Sequence, residues 1–268
     1  MKLKDVISTL SKKSKYYESD FFPKELLNNP EGRFELLGLS ILDVYGYDAD
    51  KLWFEVAPKL RAEKIISVDY LQNNTIENIK AALEMAGYKR GNNNTTTFAR
   101  RLKQLPAVLS EPPFNGDVSN LFNSFQEHNN ETIKAILKQL KKINGVGQKV
   151  GTMFIKFMLS TFKIWRWSGD ETSLLGIAAP NDFQVRKVYT RFSAKRINDF
   201  EKELSKFSNK VKVNFIEIDN VFWNVGRIFC NPLNPACHYC PLEPFCRYAS
   251  YRRLKIYDKI KEIDKFIK

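Results

Sequence analysis

All four cysteines of this 268-residue chain lie between Cys230 and Cys246, spaced Cys230-x6-Cys237-x2-Cys240-x5-Cys246. Thiols confined to 17 residues suit a metal or cluster site better than a disulfide framework in a chain of this size. Four cysteine ligands can bind zinc tetrahedrally or hold an iron–sulfur cluster, and spacing alone does not separate the two. Pro232, Pro235, Pro241 and Pro244 disfavour regular structure in the loop and let the ligands fold back around one centre. The cysteines complete a tetrahedral set, so His238 reads as a neighbour of the ligands or a solvent-facing group.

Elsewhere the pattern is helical. Apolar density from Phe34 to Leu42 predicts a buried helix, and an amphipathic segment follows from Lys51 to about Leu60. Ile76, Ile79 and Leu83 share a face behind Thr75 as N-cap and ahead of Gly87. Val118, Leu121, Phe122 and Phe125 repeat the theme, and no period-2 strand run occurs before residue 180, which predicts an all-α chain over its first two thirds. Tyr88 to Thr97 reads as a basic, polar surface loop, and the chain is expected to turn across Pro106 to Pro113. Phe162, Trp165 and Trp167 read as core or interface. A domain junction is expected between Trp165 and Pro180, and Ile256, Ile260, Ile263 and Ile267 mark a terminal helix with one Lys-rich face.

A net charge of +13 and a pI near 9.5 favour a polyanionic partner, nucleic acid first, because neutralised phosphates release counterions. A membrane surface is the rival, but no apolar run is long enough to span a bilayer, and Met1-Lys2-Leu3-Lys4-Asp5 lacks a signal-peptide apolar region. A reducing intracellular compartment is expected.

The stretch from Lys142 to Phe157, with Ile143-Asn144-Gly145-Val146-Gly147-Gln148-Lys149 at its start, reads as a two-glycine turn opening a helix. Ile133, Ile136, Leu137, Leu140 and Ile143 recur at helical spacing upstream, so the turn joins two helices. That argues against a nucleotide-binding P-loop, which needs a preceding strand. Gly145 and Gly147 can take positive φ and admit a partner's backbone, while the amides opening the next helix form an anion site. The plain alternative is an αα-hairpin whose glycines only permit close packing.

With the x6-x2-x5 cysteine loop preceded by Gly226-Arg227 and placed after Ile-Asn-Gly-Val-Gly-Gln-Lys, the chain resembles the endonuclease III branch of the helix-hairpin-helix DNA glycosylases over residues 34 to 247. The resemblance implies an all-α, two-domain fold with a [4Fe-4S] cluster, architectural in role, held by Cys230, Cys237, Cys240 and Cys246. It further implies a helical barrel over residues 34–165 containing the hairpin at about 133–158, and a cluster domain from residues 1–33 plus 166–268 with its loop at 230–246. Double-stranded DNA with a damaged or mismatched base would lie across the cleft between them, contacted by Asn144, Gly145, Val146, Gly147 and Gln148, with the protein acting as a monomer. Lys149 falls on the family's nucleophile position, where a partly buried amine near other cations would attack the sugar C1′ and form a Schiff base. Asp182 leads the segment that resembles the family's catalytic aspartate and would stabilise the cationic sugar. The family's Thr-His is Phe183-Gln184 here and the span from Lys149 to Asp182 is longer than usual, which leaves Asp170 and Glu171 as alternative carboxylates. Base pocket and wedge would come from residues 43–47 and 87–97, where Tyr45 or Tyr47 would either stack or serve only the core. A DNA glycosylase with AP-lyase activity is the expected function; a monofunctional glycosylase, a non-catalytic DNA-binding protein and a zinc-bearing adaptor are the alternatives.

Overall fold

The computed structural model describes residues 2–18, 21–43, 47–177 and 179–267. Tyr45 and the side chain of Glu171, two of the candidate site residues, lie outside what is described. All regular structure among the described residues is helical, with no strand. In chain order the α-helices are α1 (Leu3–Glu18), α2 (Pro30–Leu42), α3 (Ala57–Ala62), α4 (Val68–Asn73), α5 (Ile76–Met85), α6 (Asn92–Ser110), α7 (Val118–Asn123), α8 (Asn130–Leu140), α9 (Gln148–Lys156), α10 (Phe183–Ser193), α11 (Phe200–Val211), α12 (Phe215–Ile228), α13 (Arg247–Arg253) and α14 (Tyr257–Asp264). No described helix is long and apolar enough to cross a membrane.

The chain divides into two compact units, residues 18–168 and residues 1–17 with 169–268. The expected division groups residues 1–33 with the C-terminal third, whereas residues 18–33 belong to the middle unit. Aromatic packing explains the difference: the Phe21 ring lies 4.6 Å from Trp53, 5.3 Å from Phe157 and 5.4 Å from Phe162.

In the 18–168 unit, α2 is buried at every position from Gly32 to Leu42, so a charge on it needs a dedicated partner. Arg33 finds one in Asp117: its Nε donates to Oδ1 at 2.9 Å and a terminal nitrogen to Oδ2 at 2.5 Å, while another donates to the Leu27 carbonyl. Asp117 also caps α7 by accepting the Ser119 amide at 2.9 Å. Burial works to raise the Asp117 carboxyl, but the bonds from Arg33 and Ser119 outweigh it and hold it below its ordinary 3.8. Such a depressed group stabilises the fold above pH 3.8 and loses that contribution as pH falls through its lower folded value. Asp117→Asn is expected to cost about 3 kcal/mol at neutral pH, with wild type and variant converging in acid denaturation scans below the ordinary carboxylate range.

Two sequence expectations change in α6. Tyr88 to Thr97 is not one loop: Gly91, at φ 72°, turns the chain and the helix starts at Asn92. The Thr95 hydroxyl accepts the Arg90 amide at 3.1 Å, and Phe98, Ala99, Leu102, Leu105 and Leu109 form its buried stripe. Short polar side chains suit a first helical turn, where backbone donors lack partners, as well as they suit a loop. Pro106 lies inside this helix, and the turn comes after Ser110, with Asn115 and Gly116 at φ 46° and 85°.

In the other unit α10 packs on α12 and α13, and α1 is tied in where Asn220 donates to the Ser11 hydroxyl at 3.3 Å, both buried. The terminal stripe is narrower than expected: Ile263 is buried, Ile256 is exposed and Ile267 lies beyond the end of α14.

Candidate active site and cysteine centre

Hairpin geometry follows from α8 and α9. Asn129 caps α8 by accepting the Thr132 amide at 3.0 Å, and Ile133, Ile136, Leu137 and Leu140 bury one face. The two glycines of the turn differ in their work. Gly145 takes φ +95°, and a Cβ there would meet Arg101 Cδ at 2.8 Å and Ile41 Cγ2 at 3.1 Å, so both handedness and close packing demand glycine. Gly147 does not take positive φ; it N-caps α9 at φ −87°, and a Cβ there would meet nothing within 4 Å. Without a capping side chain the first amides of α9 remain available to an anion. Asn144 donates to Gln104 Oε1 at 2.8 Å. Val146 is buried, so its side chain is not offered to solvent. Arg101, Lys141, Asn144, Gly145, Gly147 and Lys149 line one open cavity.

Lys149 stands in the first turn of α9. Its Nζ donates to the Asp43 carbonyl at 3.3 Å and lies 3.5 Å from Asp43 Oδ1. The expected cationic surroundings are only half of the picture: Arg101 and Lys141 share the cavity, yet a carboxylate touches the amine. Asp43, at the end of α2, is 8% exposed, and its Oδ2 accepts the Trp53 indole N–H at 2.8 Å. Tyr88, fully buried, donates to the Leu42 carbonyl at 3.0 Å and so fixes the backbone beside Asp43. Tyr47 packs against Tyr88 with ring centres 4.6 Å apart and planes tilted by 36°, and it donates to the Gly87 carbonyl at 3.0 Å.

Asp182 belongs to the other unit. It N-caps α10, with Oδ1 accepting the Gln184 amide at 2.7 Å, so this carboxylate already has a helix-capping task. Asp170 caps the following short turn through the Thr172 hydroxyl and amide, bonds that hold its carboxyl below the ordinary value.

All four cysteines are free and line a single cavity beneath α10 and α12, closed by Phe192, Val225, Leu242 and Tyr248. An Arg191 nitrogen donates toward Cys230 Sγ at 3.5 Å and an Arg252 nitrogen toward Cys237 Sγ at 4.0 Å. Burial pushes the Cys240 thiol up to about 11 and the Cys246 thiol up to about 12. Among the described residues, no group of three or more His, Cys, Asp or Glu side chains stands in position to hold a metal ion. His238 packs its ring 3.9 Å from that of Tyr239 and does not line the cavity.

No family model matches the chain, and no curated protein matches it. What the protein does must therefore follow from its side chains. The cysteine cavity offers four sulfurs and apolar walls, and Arg191 and Arg252 each direct a guanidinium nitrogen toward a sulfur; a thiolate-bound cluster would draw on that donor set. Sequence reasoning misses Asp43 as the partner of the lysine, and it misses Arg101. Arg101 carries no local signal, being one cation among many. Asp43 does carry one, since a carboxylate ending a helix buried from Gly32 to Leu42 must have a partner.

Proposed function

We propose that this chain is a base-excision DNA glycosylase with AP-lyase activity, acting as a monomer on double-stranded DNA that carries a damaged or mismatched base. One observation carries the reading: the Lys149 amine stands one helical turn or less from an uncapped glycine turn, in a cavity that Arg101 and Lys141 also line. A phosphate held by the α9 amides fixes the DNA backbone without reading sequence. Lys149 then lies within reach of the adjoining sugar, where its amine displaces the extruded base at C1′; the C1′–O4′ bond then opens, O4′ takes a proton, and the resulting Schiff base sets up β-elimination. Asp182 is the carboxylate assigned to the cationic sugar, on its place at the head of α10. Cys230, Cys237, Cys240 and Cys246 would hold a [4Fe-4S] cluster, which cross-links their loop and takes no part in the chemistry.

Borohydride trapping on duplexes bearing oxidised, deaminated, alkylated, mismatched and abasic sites tests the reading. A covalent protein–DNA adduct with at least one is the expected result; its absence from all overturns the lyase. The ion pair between Lys149 and Asp43 favours one second reading, a monofunctional glycosylase in which the lysine stays charged and contacts phosphate. That enzyme would release a base and leave the strand intact.

Arg101 supplies a separate prediction. If it neutralises one phosphate, Arg101→Ala lowers the slope of log affinity against log salt by about 0.9, measured by fluorescence anisotropy on any duplex sequence.

A further inference from the structure

We propose that Asp43 positions Lys149 and accepts its proton during base release, an inference that rests on the glycosylase and lyase reading above. The pair is built from both sides. Trp53 occupies Asp43 Oδ2 with an indole N–H at 2.8 Å, which leaves Oδ1 for the lysine at 3.5 Å. The Asp43 carbonyl holds the same Nζ at 3.3 Å, so two directions of the ammonium are fixed by one residue. Trp53 is itself immobilised, 6% exposed, with Phe21 at 4.6 Å and Phe157 at 5.9 Å in edge contacts. A carboxylate this enclosed has little water to compete with, and closing the Nζ–Oδ1 gap by about 0.6 Å reaches charge-assisted hydrogen-bond length.

Lysine must lose a proton before it can attack, and the Asp43 carboxylate stands beside its ammonium. The same carboxylate is a base within reach of the amine. In the step, the Nζ–H bond breaks and the proton passes to Asp43 Oδ1, giving a carboxylic acid and a neutral amine. Rotation about Cε–Nζ turns the lone pair to the sugar, where the Nζ–C1′ bond forms. The bond from C1′ to the base nitrogen breaks, its electron pair leaves with the base, and the base takes a proton from solvent. Asp43 touches the lysine rather than the substrate, so it is a positioning residue.

Full-length wild type, Asp43→Asn, Asp43→Glu and Trp53→Phe decide the matter with two readouts. On abasic duplex, the single-turnover trapping rate of Asp43→Asn is expected to fall about 100-fold with DNA affinity unchanged, and Asp43→Glu to recover much of it. Without DNA, glycolaldehyde with cyanoborohydride labels Lys149, followed by peptide mapping; the Asp43→Asn rate should fall about tenfold. A carboxylate that merely attracts the ammonium predicts the opposite sign, because removing it frees the amine. A rise or an unchanged rate overturns the proposal. Should Asp43→Asn fail to fold, Trp53→Phe keeps the carboxylate but frees Oδ2, and labelling slowed about tenfold supports the positioning where full rate overturns it. Wild type that never forms a DNA adduct defeats the glycosylase reading alone, since the aldehyde measurement still judges Asp43.

Discussion

Lys149→Ala is expected to abolish borohydride trapping on abasic and damaged duplexes, a loss on the order of 10³-fold or more, as removal of a covalent nucleophile does. The variant should remain folded. Lys149 is 22% exposed at its side chain, and its removal leaves Asp43 with the Trp53 bond intact, a cost of about 1–3 kcal/mol for a carboxylate deprived of its cation. A melting curve separates that cost from lost chemistry. DNA affinity should change little, because the α9 amides, Arg101 and Lys141 remain. Lys149→Arg sharpens the result: it keeps the positive charge and the contact to Asp43, yet a guanidinium is too weak a nucleophile to form the imine. Trapping that survives in either variant would return the turn to a phosphate clamp and move the chemistry elsewhere.

Local signals make the helices legible and long-range pairings stay hidden. Thr75, Asn129 and Asn29 each sit before an apolar-periodic run, and each accepts an amide three residues on, so residue type alone marks those helix starts. Gly145 is legible too, because two glycines between helical patterns mark a tight turn. Gly147 looks like a second left-handed position and is not one, since composition cannot tell a glycine needed for φ from one needed for an open N-terminus. The start of α6 is hidden for a related reason: Asn and Thr serve loops and first helical turns alike. Pro106 signals a break only where the preceding turn cannot tolerate a lost amide bond, and the buried stripe on either side, Leu102 with Leu105 and Leu109, holds α6 together across it.

The contact between Asp43 and Lys149 spans 106 residues and depends on how α2 packs against α9. No window of sequence contains it. The cysteine loop is the contrary case, with all four cysteines inside 17 residues, so that spacing alone brings them to one cavity. Its support is again non-local, and Arg191 is the residue that provides it.

Arg191→Met is expected to destabilise the unit formed by residues 1–17 and 169–268 by about 3–5 kcal/mol. Arg191 is 1% exposed, among the largest side chains wholly inside the protein. Its guanidinium donates to Asp264 Oδ1 at 2.9 and 3.2 Å, to the Asn231 and Pro232 carbonyls at 2.7 Å each, and toward Cys230 Sγ at 3.5 Å. The Tyr248 ring lies 4.8 Å beneath it, and the Tyr248 hydroxyl donates to the other Asp264 oxygen at 3.0 Å. One side chain therefore joins α10, the start of the cysteine loop, α13 and α14. Methionine matches much of the volume but leaves two carbonyls, a carboxylate and a sulfur without their donor. Asp264→Asn should cost less, about 1–2 kcal/mol, because the Asp264 side chain is 34% exposed and water can replace part of what it loses. Urea titration followed by the fluorescence of Trp223, which lies in α12 of this unit, gives both numbers. Equal midpoints for wild type and Arg191→Met would mean that the carbonyls find water instead, and that the loop is held by its cysteines alone.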